Sequence, residues 1–231
     1  MRGEALLLAM WEGALGRRGA QREQALLEAT PRSLPERNLL ALRRYAQLFG
    51  PAAELVGHCA HCGATVEFMI DAGQYAGALA QDAAGNDAGE TRWHELEAGN
   101  GATPRFRLPV PADLHALDAF DDPDAFAEAL LARCVDGGMP ADAETRDAIS
   151  RRMEALLPGA LLSFSLHCPD CGGTWNAPLD PLELLWRELR LRVERLLSDI
   201  AALARGFGWS ERDILELGPM RRAAYLQLLA A

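Results

Sequence analysis

The chain contains two cysteine pairs that lie far apart in sequence and follow one pattern. Cys59 and Cys62 belong to the segment H-C-A-H-C-G-A-T, and Cys168 and Cys171 belong to the segment H-C-P-D-C-G-G-T. Both copies fit H-C-x-x-C-G-x-T-x-x-x-x-x-D at one fixed offset. Chance spacing of cysteines does not account for such a repeat, so the pairs are interpreted as two halves of one site.

This spacing suits a tetrahedral metal site. Two cysteines separated by two residues can direct both sulfurs to one point when the backbone forms a tight loop, and the following glycine supplies the positive φ that such a loop needs. Four thiolates from two loops complete a zinc shell. Residues 64–70 and 161–166 have the composition of strands. Each half is therefore predicted to be a β-hairpin with a zinc knuckle at its tip, ending at Asp71 or Asp180.

The two pairs are separated by the 105 residues between Cys62 and Cys168, whereas a single ribbon motif has a separation of about 15 to 20. Closing such a loop costs roughly 4 kcal/mol of chain entropy, and binding of a structural zinc ion contributes a free energy of about 10 to 16 kcal/mol. Metal binding is favoured if the fold brings the halves together. Two local disulfides, a redox pair and unpaired thiols remain as alternatives, and tetrahedral thiolates accept iron as well as zinc.

The nearby histidines are interpreted as neighbours of the site, because four cysteines already complete the shell. They are His58, His61 and His167. A closed shell has no open position for activating water, so the Zn²⁺ is expected to be structural. The chain has no lysine, which excludes a P-loop lysine and Schiff-base chemistry. We expect no enzyme activity, no catalytic residues and no small-molecule substrate.

The composition and charge of the chain limit the kinds of partner that it can bind. The chain has 231 residues, 49% of them apolar, and no apolar run approaches the roughly 20 residues of a membrane span. The N-terminal residues lack a secretory layout, so a cytoplasmic location and no membrane partner are expected. Residues 51–180 carry seven arginines against 21 acidic residues. This excess of acid disfavours binding to nucleic-acid phosphates.

The sequence predicts an α+β fold that is mostly helical, in which a split zinc ribbon is flanked by helical segments at both ends. We expect one compact unit with six segments: an N-terminal helical segment (1–51), the first zinc-knuckle hairpin (52–75), a flexible insertion (76–103), a strand plus helical insertion (104–160), the second zinc-knuckle hairpin (161–180) and a C-terminal helical segment (181–231). The insertion at 76–103 is rich in Ala, Gly, Asp and Asn, so it is expected to contribute little or no core.

The C-terminal segment has the most regular pattern. Apolar residues recur at helical spacing from Leu182 to Phe207. A stripe of this length exceeds what a small ribbon can cover, so it must pack against the N-terminal helices or another chain. Ser210 and Asp213 form a capping-box pattern that predicts a further short helix. Cys134, the fifth cysteine, falls on the apolar side of another predicted helix and is interpreted as a small core residue.

Several segments together resemble one protein family. They are Met10–Gly16 (M-W-E-G-A-L-G), Leu48–Pro51 (L-F-G-P), Arg105–Pro109 (R-F-R-L-P), Cys168–Gly172 (C-P-D-C-G), Trp186–Glu188 (W-R-E) and Trp209–Leu215 (W-S-E-R-D-I-L) with Arg221, Arg222, Tyr225 and Leu226. Their order along nearly the whole chain resembles the baseplate hub and hub-assembly proteins of T-even phages, which also occur in phage-tail-like contractile injection systems. The sequence departs from this family in its long 76–103 insertion, and Ala60 stands where the second knuckle has Pro169.

The resemblance implies a non-enzymatic hub component or assembly chaperone of a contractile tail. Its partners would be hub, tube or spike proteins, and it would reside in the bacterial cytoplasm or in the assembled particle. The alternative is a zinc-ribbon protein that binds nucleic acid or acts as a regulator. Its basic face would consist of Arg17, Arg18, Arg43, Arg44, Arg221 and Arg222. A zinc enzyme or thiol oxidoreductase is a third hypothesis, which would need an open ligand position or a low-pKa thiol.

Overall fold

The structure is a computed structural model, and it describes residues 2–83, 92–97, 103–120 and 122–230. Within these residues the chain is mostly helical and contains three small antiparallel hairpins. The helices are α1 (Arg2–Ala14), α2 (Gly19–Leu27), α3 (Leu34–Phe49), α4 (Ala72–Ala83), α5 (Pro111–Ala116), α6 (Pro123–Cys134), α7 (Ala143–Leu156), α8 (Pro181–Phe207), α9 (Glu211–Glu216) and α10 (Pro219–Ala230). The strands are β1 (Ala52–His58), β2 (Thr65–Asp71), β3 (Trp93–Glu95), β4 (Arg105–Arg107), β5 (Leu162–His167) and β6 (Thr174–Leu179). The prediction of a mostly helical fold with small hairpins is confirmed.

Each cysteine pair lies at the turn of one hairpin. The pair His58↔Thr65 closes the β1–β2 hairpin, and the pair His167↔Thr174 closes the β5–β6 hairpin. Every residue pair of the second hairpin repeats a pair of the first, with 109 added to both residue numbers. The two hairpins therefore have the same register, and the sequence repeat is also a structural repeat.

The aspartate that ends each repeat caps the helix that follows. Asp71 Oδ1 accepts a hydrogen bond of 2.9 Å from the backbone N–H of Gln74, in the first turn of α4. Asp180 Oδ1 accepts one of 2.8 Å from the backbone N–H of Leu182, in the first turn of α8. A carboxylate in this position satisfies free N–H groups and favours the positive end of the helix dipole. Each repeat is thus a hairpin followed by a capped helix.

Helix α8 forms the centre of the main core. Its buried residues recur on one face at Leu182, Leu185, Leu189, Val193, Leu196, Ile200 and Leu203. This face packs against α1, α2 and α3 on one side and against α9 and α10 near its end. Of the two partners expected for this stripe, the N-terminal helices or another chain, it contacts the N-terminal helices. Gly208 ends the helix with a φ of +70°, a conformation that glycine adopts without strain.

The expectation that residues 76–103 form a flexible insertion with little or no core is wrong for residues 76–83. Residues 76–83 belong to α4, which packs against α3, and Ala76 and Leu79 lie in the main core. Ala72, Ala76 and Leu79 fall at helical spacing on one face, but small side chains and flanking glycines give a weak periodic signal. Further along, β3 pairs with β4. Residues 84–91 and 98–102 lie outside the described residues.

A second, smaller core stabilises the segment between the hairpins. Phe106 of β4, Val135 and Ile149 of α7 are its buried members. The strand expected in the segment 104–160 is β4, and Cys134 is fully buried, as expected. This segment contacts the main core through α5 and α2. None of the described helices combines the length and apolar content required to cross a lipid bilayer.

Candidate metal centre

The two knuckles share one backbone conformation. In the first, Cys59 donates its backbone N–H to the carbonyl of Ala64, and Gly63 donates its N–H to the carbonyl of Cys59, both at 2.9 Å. The second knuckle has the same two bonds between the equivalent residues, at 2.9 and 3.0 Å. Gly63 and Gly172 have φ values of +75° and +73°. The glycine predicted from the C-x-x-C-G pattern is therefore needed for the turn.

The four predicted cysteines lie together. Their sulfur atoms are all within 4.8 Å of one another. The Sγ atoms of Cys59 and Cys171 are 3.6 Å apart, and those of Cys62 and Cys168 are 3.7 Å apart. With a Zn–S distance of about 2.3 Å, the edge of a tetrahedral shell is about 3.8 Å. A disulfide requires about 2.05 Å, and all five cysteines are free.

The burial of the cysteines is also the same in the two knuckles. Cys59 and Cys168, the first cysteine of each pair, are buried, whereas Cys62 and Cys171 are exposed. The sulfur cluster therefore has one side against the protein and one side towards solvent.

The electrostatics of the cluster already favour a thiolate. Burial raises the pKa of Cys59, but hydrogen bonds from the backbone N–H groups of His61 and Cys62 outweigh it and lower the pKa to about 6. A backbone hydrogen bond at Ala64 lowers the pKa of Cys62, yet its contact with Cys171 and burial prevail and raise that pKa to about 12. The cluster therefore favours the thiolate form of Cys59, which is the form that binds a metal ion.

Apolar contacts between the hairpins bring the two knuckles together. Gly57 of β1 lies against β5 and β6 so closely that an added Cβ would be 3.3 Å from Leu166 Cδ1 and 3.6 Å from the ring of Trp175. The rings of Phe68 and Phe164 are 5.8 Å apart. A small residue on one hairpin therefore accommodates large residues on the other. This packing places the cysteines despite their separation in sequence.

A histidine bridges the knuckles without being among the clustered ligands. His61 Nε2 lies 3.2 Å from the carbonyl oxygen of Thr174, and its ring occupies the space beside Gly173, where an added Cβ would be 2.4 Å from it. His58 and His167 are exposed at the ends of β1 and β5. Among the described residues, the metal-sized cluster contains the four cysteines and none of the histidines.

The sequence did not predict the ion pairs of Arg37, which connect α3 to the end of the second repeat. The guanidinium of Arg37 in α3 donates two hydrogen bonds to the carboxylate of Asp180, at 3.0 and 3.1 Å, and its Nε donates one to Glu23 at 2.8 Å. Burial lowers the pKa of Arg37, but these carboxylates outweigh it and raise the pKa. Glu23 also contacts His115 Nε2 at 3.2 Å. The repeat indicated Asp180, whereas no pattern indicated its partner 143 residues away.

The donor set and geometry fit a tetrahedral metal ion. Four cysteine sulfurs are the ligands of structural zinc sites, and their separations here are close to the edges of such a shell. Comparisons with known protein families, with curated proteins and with solved structures find no match for this chain.

Proposed function

We propose that Cys59, Cys62, Cys168 and Cys171 bind one structural Zn²⁺ and that the two hairpins form a split zinc ribbon. The sulfur separations of 3.6 and 3.7 Å across the two knuckles are the observation that supports this proposal most directly. With all four positions filled by thiolates, no site for water or substrate remains on the ion. The metal would stabilise the contact between two chain segments and would not take part in catalysis.

Thiol titration tests the proposed metal site. The purified protein is treated with a thiol reagent before and after a chelator is added. Four thiols should become reactive only after chelation, while Cys134 should react only after unfolding because it is fully buried. If the exposed sulfurs of Cys62 and Cys171 react at once in the metal-loaded protein, the closed shell is refuted.

We further propose that the protein is a non-enzymatic baseplate hub component or assembly factor of a contractile phage tail or a related injection system. The resemblance described above motivates this proposal. The first and last segments meet, since Arg222 of α10 forms a buried ion pair with Glu4 of α1. Phe207, Trp209 and Tyr225 form one aromatic cluster, with ring centroids 4.7 to 5.7 Å apart.

The N-terminal and C-terminal segments also carry apolar side chains that are exposed. They are Leu6, Leu15, Leu191, Leu197, Phe207, Met220, Leu228 and Leu229. Clusters of exposed apolar side chains are typical of surfaces that bind other proteins. Contact with another protein would cover these side chains, as the proposed role in assembly requires.

Affinity capture tests the assembly role. The tagged protein is expressed in its native host, and the captured proteins are identified by mass spectrometry. Recovery of hub, tube or spike proteins is expected. A variant with the exposed Met220 and Leu228 changed to serine should lose those proteins if α10 contributes to docking. Recovery of unrelated cytosolic proteins only, under conditions in which the tail assembles, would contradict the proposal.

The nucleic-acid alternative is less well supported. Arg222 is buried and bonded to Glu4, and Arg44 donates a 2.6 Å hydrogen bond to Glu28. Two of the six arginines proposed for a basic face are therefore already neutralised within the chain. A salt-dependent shift of DNA or RNA mobility at physiological ionic strength would favour this alternative instead.

A further inference from the structure

The two hairpins share one register but differ sharply on their outer faces. In the first hairpin, the central outward positions are Glu54, Val56, Glu67 and Met69. In the second hairpin, the equivalent positions are Ser163, Ser165, Asn176 and Pro178. The second repeat therefore shows that this fold does not need carboxylates or large apolar side chains at these positions. These side chains on the first hairpin are therefore not a requirement of the shared register.

The four side chains form a compact pattern on the first hairpin. Glu54 is paired with Met69, and Val56 is paired with Glu67, so the two acids lie on one diagonal and the two apolar residues lie on the other. Diagonal neighbours on one face are about 7 to 8 Å apart. Val56 is 54% exposed and Met69 is 64% exposed. No ion pair of Glu54 or Glu67 is found among the described residues.

We propose that this outer face, Glu54, Val56, Glu67 and Met69, is a docking surface for a protein segment in which basic and apolar side chains alternate. The inference rests on the proposed docking role and names the kind of partner. Two carboxylates beside two exposed apolar side chains complement a segment that offers two cations and an apolar strip. A second copy of the same face would place four carboxylates together, and like charges in contact disfavour that pairing. The occupant is therefore a basic protein segment and not a second copy of this same face.

A synthetic peptide of alternating arginine and valine is the probe for this surface. Its binding to the zinc-loaded full chain is measured by fluorescence anisotropy at two salt concentrations, beside a peptide of alternating glutamate and valine. The arginine peptide should bind with one-to-one stoichiometry and weaken as salt increases, because paired surface charges are screened. The glutamate peptide should not bind.

Variants that copy the second hairpin supply the decisive comparison. Glu54→Ser, Val56→Ser and Glu67→Asn introduce the residues of the second hairpin, and Met69→Thr replaces the fourth side chain without introducing the proline of that hairpin. The four changes together should weaken binding of the arginine peptide at least tenfold and leave the bound zinc and the melting temperature unchanged. The matched control changes Glu144→Ser and Asp147→Asn, two exposed acids on α7 that alter net charge equally. This control should bind within twofold of wild type.

Three outcomes would overturn the inference. They are no binding of the arginine peptide to wild type, equal loss in the α7 control, and unchanged binding by the four-residue variant. The zinc content of the same samples is read independently. A failure of the docking surface is therefore distinguishable from a failure of the metal site.

Discussion

Asp71 and Asp180 end the two copies of the sequence repeat, and each caps a helix. Their replacement should nevertheless lower the free energy of unfolding by different amounts. Asp71 caps α4 through the backbone N–H of Gln74. Asp180 caps α8 and also accepts two hydrogen bonds from the buried guanidinium of Arg37. Loss of a cap costs about 1 kcal/mol. Loss of a hydrogen bond to a charged group costs about 1.5 to 3 kcal/mol, and the lower end applies because the Asp180 side chain is 49% exposed.

These values give a graded series of variants. Asp71→Ala should lower the free energy of unfolding by about 1 kcal/mol, and Asp180→Ala should lower it by about 2 to 3 kcal/mol. Asp180→Asn keeps a good capping side chain and removes the charge, so it should cost about 1 to 2 kcal/mol. The free energies are measured by urea unfolding at one fixed concentration of free zinc, because zinc binding itself shifts the apparent stability.

A double-mutant cycle separates the ion pair from the cap. In a background with Arg37→Met, Asp180→Asn should leave the free energy of unfolding almost unchanged, because the guanidinium that donates to the carboxylate is absent. Equal costs for Asp71→Ala and Asp180→Ala would refute the asymmetry. An undiminished cost of Asp180→Asn in the Arg37→Met background would show that the carboxylate acts without Arg37.

Two further predictions concern single contacts. Gly173→Ala should displace the ring of His61 and lower the free energy of unfolding by about 1 to 3 kcal/mol, and His61→Ala should restore most of it; an unchanged unfolding curve would contradict the contact. Asp113 is buried and bonded to Arg107 at 2.6 and 2.7 Å. Burial raises the pKa of Asp113, but these bonds outweigh it and lower the pKa below its ordinary value. Its stabilisation should therefore be complete above about pH 4, the pKa in the unfolded chain, and be lost as the pH falls through the lower folded pKa. Asp113→Asn should remove that part of the acid dependence in urea unfolding, and an identical pH profile would contradict it.

The sequence indicated the features that depend on local pattern. The repeated C-x-x-C-G turn requires a positive φ after the second cysteine, and Gly63 and Gly172 have it. The long apolar stripe predicted α8, and Ser210 with Asp213 predicted the start of α9, whose capping box is present. In each case a few neighbouring residues determine the conformation, so the pattern carries the information.

The features that sequence reasoning missed depend on residues far apart in the chain. Arg37 contacts Asp180 across 143 residues, and Gly173 leaves room for His61 across the two knuckles. Neither contact has a spacing that could be recognised. Helix α4 was missed for a different reason, because its buried face consists mostly of alanine and gives little hydrophobic contrast.

Measurement of the bound metal tests the central claim most directly. Elemental analysis should find one zinc per chain, and X-ray absorption at the zinc edge should show four sulfur ligands at about 2.3 Å. Cys59→Ser and Cys168→Ser should each lower the zinc content to near zero, whereas Cys134→Ala should keep one zinc, because Cys134 lies in a different buried environment. Protein without bound metal, two metals per chain, or a nitrogen ligand in the first shell would contradict the account.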